Sequence, residues 1–284
     1  MPGARLSILK TCKLFIGGKF PRTESGRVLT ALHPTTGEHL AHYGRASKKD
    51  LRDAVAAARA AHDGWAAATP LLRGQILYRA AEMIEGRAAS LAGVIAASTG
   101  VTAAAARREV AASADRFVHF AGWSDKFAAV FGSVNPVSTP HFNFTTPEPV
   151  GVVAVLAPDT PSLLGLVGAI APVLVAGNAA VVLASERFPL PAMDLAEAMA
   201  TSDLPAGVLN ILTGQRAELA PAMASHMDVN AIVDASGDAS LRTLLRAGAA
   251  ANLKRVHCRD PAREDGTAIL DTVEMKTVWH PMGY

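Results

Sequence analysis

Residues 150–158 read VGVVAVLAP, a continuously apolar run that is rich in valine and ends in proline. A strand with one solvent-facing side alternates apolar and polar residues, whereas a strand buried on both faces of a parallel sheet does not. Further strands are predicted at residues 179–183 (AAVVL), 208–212 (VLNIL), 229–233 (VNAIV) and 253–257 (LKRVH). Five such strands indicate a parallel sheet in the second half of the chain.

Helical segments separate these strands. They are predicted at residues 162–176, 190–201, 217–225 and 238–250. The alternation of strand and helix predicts an α/β fold with a Rossmann-like, doubly wound parallel sheet. Sheets of this kind bind ligands at the carboxyl ends of their strands. Because the dinucleotide fingerprint GxGxxG does not occur in the sequence, this pattern predicts a fold and not a bound cofactor.

The N-terminal part of the chain is mostly helical and rich in alanine. Residues 13–21 are predicted as a short hairpin strand and residues 33–38 as a turn, on their glycine and proline content. Helices are predicted after Ser47, which has the chemistry of an N-cap, after Pro70, and over residues 104–128.

The composition excludes several classes of protein. Half of the 284 residues are hydrophobic and 18% are charged, which argues against disorder. The formal net charge of +2 gives no electrostatic reason to expect a nucleic acid or a membrane surface as partner. Two cysteines, Cys12 and Cys258, are too few for a disulfide framework. The N-terminus has no signal-peptide pattern, and the apolar stretch at 162–176 is short for a membrane span, so a cytoplasmic protein is expected.

The histidines do not indicate a metal site. None of the nine has metal-ligand spacing with acidic or thiol partners. His39 and His42 lie three apart in a predicted strand or turn, where their side chains should face different directions. The sequence therefore predicts no bound metal.

Five blocks carry a resemblance to a known family. They are Glu148–Val153, Ala171-Pro172, Ala176–Asn178, Leu204–Gly214 and Asn252–Val256. In their order and spacing they resemble the aldehyde dehydrogenase family, and the resemblance covers nearly the whole chain. It implies an NAD-binding-like (Rossmann) domain built from residues 1–131 and 148–258, and a bridging or oligomerisation element built from residues 132–147 and 270–284.

The catalytic positions of that family are changed. By the resemblance, Arg259 stands where the family has its general-base glutamate, and a guanidinium cannot accept a proton at neutral pH. The nucleophilic cysteine of the family lies well beyond the last Rossmann strand, where this chain does not supply one. Arg255 and Arg259 would favour a Cys258 thiolate, but a lone cysteine at a strand end is more often a small buried hydrophobe. We therefore assign no catalytic residue.

The oxyanion and cofactor positions of the family are also changed. Where the family has an asparagine that stabilises the oxyanion, the chain has Thr160, and the neighbouring Asp159 would repel a developing anion. Where the family has a lysine that contacts the adenine ribose, the chain has Leu183. The predicted cofactor-binding residue is then Glu186 alone, at the ribose position.

The pyrophosphate position also disfavours binding of NAD(P). It corresponds to Ser236-Gly237, with Asp234 and Asp238 close by, and two carboxylates are unfavourable beside a pyrophosphate. The resemblance thus implies no cofactor, or weak binding of NAD(P).

The last stretch suggests a partner. Residues 132–147 predict two strands joined by a turn, and residues 270–279 resemble the C-terminal strand that pairs with that hairpin in aldehyde dehydrogenases. An internal block, the catalytic domain, is then missing between about residues 259 and 269, as in the shortened, non-catalytic second half of family-16 aldehyde dehydrogenases. That implies a subunit that pairs with a full-length aldehyde dehydrogenase through 132–147 and 270–284.

Two alternatives remain: a decayed paralogue without specific activity, and an oxidoreductase of altered chemistry that uses Cys258 or Asp159 with a residual nucleotide site.

Overall fold

The structure, a computed structural model, describes residues 9–283. The expectations about the start of the chain and about Tyr284, the last residue of the predicted bridging element, lie outside the described residues. The strands are β1 (Lys10–Cys12), β2 (Val28–Leu32), β3 (His39–Gly44), β4 (Ser133–Asn135), β5 (His141–Pro149), β6 (Val152–Leu156), β7 (Ala179–Leu183), β8 (Leu209–Leu212), β9 (Ala231–Asp234), β10 (Arg255–Cys258) and β11 (Val273–Pro281). The α-helices are α1 (Lys48–Ala67), α2 (Pro70–Gly86), α3 (Ala88–Thr99), α4 (Ala103–Ala121), α5 (Phe127–Phe131), α6 (Leu164–Val175), α7 (Leu190–Met199), α8 (Arg216–Ser225) and α9 (Ala239–Ala250). A 3₁₀ helix spans Gly266–Thr272.

The central sheet contains five parallel strands in the order β10-β9-β6-β7-β8. It is doubly wound, because helices cover both faces. Val153 and Val155 of β6 pack in the cluster that contains α6, whereas Ala154 and Leu156 pack in the cluster that contains α1, α8 and α9. The five predicted strands are confirmed to within two residues at each end, and so is the α/β fold. Continuous burial on two faces is the physical reason why their sequences do not alternate.

Helix α6 is buried along nearly its whole length. This explains why the stretch at 162–176 is apolar on all sides without being a membrane span. Within residues 9–283, no helix is both long enough and apolar enough to cross a bilayer.

The N-terminal part follows the prediction at Ser47 and departs from it elsewhere. Ser47 and Asp50 form a capping box at the start of α1. The helix predicted over 104–128 is confirmed as far as Ala121 and wrong only near its end: α4 ends before Gly122, and a separate short helix, α5, follows. The prediction at 13–21 is also partly wrong, since β1 lies earlier and residues 16–19 form a tight turn. Helix α3 and strand β2 were not predicted, and β3 was predicted only as a strand or turn around His39 and His42.

The C-terminal sheet contains three antiparallel strands in the order β11-β5-β4. The predicted hairpin and the predicted last strand both form, and Val273 to Pro281 pair with Pro149 to His141. Backbone bonds from Val150 to Thr272 and from Met282 to Pro140 show which residues of β11 face β5. Hydrogen-bonded pairs alternate in antiparallel ladders, so the even-numbered residues of β11 bond to β5. The odd-numbered residues present their backbone groups to the outer edge.

Candidate functional site

A cleft lies at the carboxyl ends of the central strands, where the strand order reverses between β6 and β9. It has an inner hollow of about 450 Å³ and an outer hollow of about 590 Å³. The inner hollow includes Thr160, Ser236, Arg242, Cys258 and Arg259, and the outer one includes Glu186, Arg187, Arg216, Asp238 and Leu244. Asp159 lies on the boundary of both. The sheet thus brings most of the sequence-predicted site residues into one place.

The N-terminus of α6 faces this end of the sheet and is closed by a carboxylate of the chain itself. Glu109 of α4 accepts hydrogen bonds from the backbone N–H groups of Leu163 (2.6 Å) and Leu164 (3.3 Å). It also accepts one from the Ser162 hydroxyl at 3.3 Å. These N–H groups are the ones that would otherwise bind an anion.

Two further helix N-termini at the cleft are closed in the same way. Glu186 Oε2 accepts a hydrogen bond from the backbone N–H of Arg216, at the start of α8, at 2.8 Å. Asp238 is the N-cap of α9, and its Oδ1 accepts from the N–H groups of Ser240 and Leu241. These hydrogen bonds lower the pKa of Asp238, together with the Ser240 hydroxyl, which is the largest contribution. A negative charge therefore already occupies the positive end of each helix.

Asp159 does not stand as a free charge beside Thr160. Its Oδ1 accepts from the Arg216 guanidinium at 2.9 Å and from the Ser185 hydroxyl at 2.7 Å. The same guanidinium donates to the carbonyl of Ala157 at 2.7 Å. The expected repulsion of an anion by Asp159 therefore needs correction, because Arg216 neutralises most of that charge.

The two aspartates near the predicted pyrophosphate position differ in their surroundings. Asp234 is buried, and its Oδ1 accepts from the backbone N–H and the hydroxyl of Ser236 at 3.0 and 2.5 Å. Its Oδ2 has no hydrogen-bond partner among the described residues. Asp238 is exposed and serves as a helix cap. Both carboxylates therefore have structural partners within three residues along the chain.

Arg259 lies beside the inner hollow, and its guanidinium is buried and bonded within the protein. Its side chain is 2% exposed, and its guanidinium donates to Asp271 at 2.7 and 3.2 Å. It also donates to the carbonyls of Ala268 and Ala169, at 2.5 and 3.3 Å. Burial lowers the pKa of Arg259, and the adjacent Asp271 opposes that change. A guanidinium held by four hydrogen bonds has no basic atom to offer to a substrate.

The expected surroundings of Cys258 were wrong in two respects. The residue is exposed at the end of β10, not buried. Its Sγ contacts Arg246 of α9, whose Nη2 lies at 3.9 Å, whereas the guanidinium groups of Arg255 and Arg259 bond to other partners. Within the described part of the chain, Cys258 has no carboxylate or imidazole as hydrogen-bond partner, so no base is placed to activate the thiol.

The structure also describes the metal-ligand candidates. His39 and His42 were expected to face different directions, but their ring centroids are 5.9 Å apart, so that expectation was wrong. A β-bulge in the pairing of β2 with β3 breaks the simple alternation there. Among residues 9–283, no group of three or more histidine, cysteine or acidic side chains is placed to hold a metal ion.

Sequence reasoning missed three residues that shape the site: Glu109, Arg216 and Asp271. Glu109 acts 54 residues along the chain from Leu163, and no local pattern links the two. Arg216 could have been suspected, since it opens a predicted helix directly after a strand and its turn. Asp271 lay inside the predicted bridging element and was read as part of a strand.

Comparison with known proteins places this geometry in context. The model of the aldehyde dehydrogenase family matches residues 20–265. Over 244 residues, the chain is 31% identical to an aldehyde dehydrogenase of Aspergillus niger, covering 86% of this chain and 48% of that protein. It is 32% identical over 252 residues to retinal dehydrogenase 2 of Homo sapiens, covering 87% of this chain and 48% of the relative.

A solved structure agrees with these relatives. The NAD+ complex of an aldehyde dehydrogenase from Bacillus cereus superposes with a TM-score of 0.84 at 27% identity, over 88% of this chain and 50% of that one. The fold is thus one that holds NAD+ in a related enzyme. The chain spans about half the length of the curated relatives it matches. On the extent of these matches, this chain belongs to the aldehyde dehydrogenase family.

Proposed function

We propose that this protein is a non-catalytic structural or regulatory subunit that pairs with a full-length NAD(P)-dependent aldehyde dehydrogenase in the cytoplasm. Pairing would use residues 132–147 and 270–284, in the manner of the shortened second half of family-16 aldehyde dehydrogenases. The observation that carries the proposal is the open outer edge of β11. Within residues 9–283, this nine-residue strand pairs with β5 on one side and has no neighbour on the other.

The open edge offers a regular set of backbone groups. Met275, Thr277 and Trp279 direct their N–H and C=O groups outward, by the alternation described above. Uncovered strand edges are sites of pairing with another chain, and proteins usually protect them. Addition of a strand from a partner would satisfy these groups, with backbone hydrogen bonds supplying affinity.

The surface of the C-terminal sheet also supports a protein partner. Five large apolar side chains are exposed on β4, β5 and β11: Val134, Phe142, Met275, Val278 and Trp279. Val134 and Trp279 are the most open, at 68% and 56% exposure. By the strand register, Val134, Phe142 and Val278 lie on one face of the sheet and Met275 and Trp279 on the other. Exposed apolar side chains that share a surface mark interaction sites more often than scattered ones do.

The cleft supports a non-catalytic role. Arg259 replaces the general base and is held by Asp271, and Thr160 replaces the oxyanion amide. A dinucleotide needs a free helix N-terminus for its pyrophosphate, whereas α6, α8 and α9 are closed by the chain's own carboxylates. Glu186 as the ribose partner stays a prediction, with one of its oxygens already bonded to Arg216. The described residues fit NAD(P) poorly, and we infer weak binding or none.

Pairing can be tested by co-expression with a full-length aldehyde dehydrogenase from the same genome, followed by affinity capture. We expect a stable complex with the unchanged chain. Thr277→Pro removes an outward N–H without removing a bond to β5, and should abolish capture. Thr277→Val loses the same hydroxyl, which lies 3.0 Å from Thr145, and keeps the N–H, so it should bind normally. Equal capture of both variants would overturn pairing through this edge, and no complex at all would favour a decayed paralogue.

The cofactor inference has its own test. A ligand that binds the native state raises the midpoint of thermal unfolding. We expect NAD+ and NADP+ to leave the midpoint of the isolated chain unchanged at concentrations that saturate full-length enzymes. A large shift, together with aldehyde-dependent reduction of NAD+ that is lost in Cys258→Ala or Asp159→Asn, would instead support an oxidoreductase of altered chemistry.

A further inference from the structure

A short connection, residues 259–272, leads from the end of β10 to the start of β11. We call it the junction segment. It lies against α4 and α6: Arg116 of α4 donates to the carbonyl of Pro261 at 2.7 Å and forms an ion pair with Glu264 at 2.5 Å. Gly266 lies against the ring of Trp123, where a Cβ atom would fall within 2.7 Å of three ring atoms. The segment is therefore a packed part of the fold.

Arg259 holds the two ends of this segment together. Its backbone N–H donates to the carbonyl of Asp234 at 2.9 Å, which extends the β10–β9 ladder by one bond. Its guanidinium reaches across the segment to Asp271 and to the carbonyl of Ala268, and back to Ala169 of α6. Arg259 thus ties three parts of the fold together: its backbone bonds to the central sheet, and its side chain joins α6 to the 3₁₀ helix.

The position of Asp271 sets the start of β11. The next residue, Thr272, accepts hydrogen bonds through its carbonyl from the Asn178 amide at 2.8 Å and from Val150 N–H at 3.2 Å. Val273 then pairs with Pro149 and begins the ladder with β5. Residues 271–273 consequently fix the register of β11, and the register decides which backbone groups face outward.

A guanidinium is well suited to this position. It is planar and carries five N–H donors in a fixed fork, so one side chain can satisfy a carboxylate and two carbonyls together. A lysine has a single point charge with three donors. A glutamate, the residue of the family at this position, would bring a second carboxylate to Asp271 and leave both carbonyls without a donor.

We propose that Arg259 is a positioning residue for the C-terminal sheet: the substitution that removes the family's general base also fixes β11 in the register that exposes its outer edge. The link to a partner rests on the proposed function, whereas the placement of β11 does not. Loss of the guanidinium should release the strand without unfolding the central sheet, because its bonds concentrate on the junction segment.

Hydrogen exchange of the full chain, read by mass spectrometry, tests this placement. Arg259→Met should speed exchange in β11 at least about tenfold, as expected when charged hydrogen bonds are lost, and leave β6 and β7 protected. Arg259→Lys should restore part of the protection. Arg255→Met is the matched control: its guanidinium bonds directly to β11, at the Val273 carbonyl and the Glu274 carboxylate, but it is half exposed, so its loss should have a much smaller effect than loss of the buried Arg259 guanidinium.

Unchanged exchange in β11 of Arg259→Met would overturn the proposal. If that variant unfolds throughout, Asp271→Ala provides the second test, since it removes the carboxylate and keeps the arginine; β11 protected as in the unchanged chain would then overturn it. Faster exchange in β11 with partner capture intact would support the positioning role and overturn pairing through the β11 edge. The two failures are therefore distinguishable.

Discussion

The cleft and the C-terminal sheet treat their hydrogen-bonding groups in opposite ways. At the cleft, the chain closes its own anion-binding positions, with Glu109, Glu186 and Asp238 on three helix N-termini. In the C-terminal sheet, the outer edge of β11 has no neighbouring strand within residues 9–283, although its Val273 carbonyl accepts a hydrogen bond from Arg255, and the sheet exposes apolar side chains. A surface that is satisfied from within has little to gain from a ligand, whereas an unsatisfied one gains by association. On the proposed function, the sheet edge and not the cleft is therefore where we expect this chain to bind.

The first prediction compares how much the central core and the C-terminal sheet contribute to the free energy of unfolding. Leu166→Ala in α6 should lower the free energy of unfolding by about 2–5 kcal/mol, because the side chain is fully buried. Val134→Ala in β4 should change it by less than about 0.5 kcal/mol, since that side chain is exposed, and should weaken partner capture instead. Urea unfolding measures the change in unfolding free energy for both variants. Comparable losses would mean that the C-terminal sheet is part of the stabilising core.

A second comparison concerns the contact between α6 and the junction segment. A Cβ atom at Gly168 would collide with the carbonyl of Pro261 and lie 2.9 Å from the Arg116 guanidinium. Gly168→Ala should therefore cost about 1–3 kcal/mol of unfolding free energy. Gly93→Ala, also in a helix but with open space around it, should gain up to about 1 kcal/mol. If thermal denaturation showed a gain for both, the junction segment would not be packed as described.

Acid should lower the free energy of unfolding of this protein. Burial lowers the pKa of His62, His226 and His257 from the ordinary value of 6.5. Each imidazole is protonated more readily in the unfolded chain, so its stabilising contribution is complete above pH 6.5 and is lost as the pH falls through the folded pKa. The slope should reach up to about 1.4 kcal/mol per pH unit for each histidine. Urea unfolding between about pH 7 and pH 5 measures it. Replacing the three by glutamine should flatten the curve, and an unchanged slope would contradict this assignment.

The last prediction tests whether the Asp238 cap of α9 limits nucleotide binding in the cleft. Asp238→Ala removes the N-cap of α9 and should cost about 1 kcal/mol. It also frees a helix N-terminus, so the thermal shift with NAD+ should increase relative to the unchanged chain. Thr102→Ala removes the N-cap of α4 and is the control for stability alone. A nucleotide response that is the same in both variants would show that self-capping is not what limits binding.

Local patterns predicted the elements that depend on local physics. The buried strands β6 to β10 and the helices between them follow from runs of apolar residues, and α1 follows from its capping residue Ser47. The break between α4 and α5 was missed because the helical spacing continues past Gly122, where α4 stops. Strand β2 was missed and β3 was predicted only as a strand or turn, because the burial of both is mixed and tertiary contacts decide such segments.

The site was predictable in its position and not in its contacts. Asp159, Glu186 and Arg259 line the two hollows at the carboxyl end of the sheet, while their roles stay predictions. The resemblance could not reveal that Glu109 closes α6 or that Asp271 binds Arg259, because both pairs join distant parts of the chain. Of the charges that looked unfavourable in the sequence, Asp159 is paired with Arg216 and Asp238 caps α9.

The unequal edges of the C-terminal sheet have a consequence for stoichiometry. The outer edge of β11 is nine residues long and ends at Pro281, an outward-facing position without an N–H, whereas the opposite edge, β4, is three residues long. The sheet therefore offers a partner strand one long edge, at β11, and a much shorter one, at β4. Chain-by-chain growth into fibres needs complementary edges on both sides, so association through this sheet should stop after a single addition.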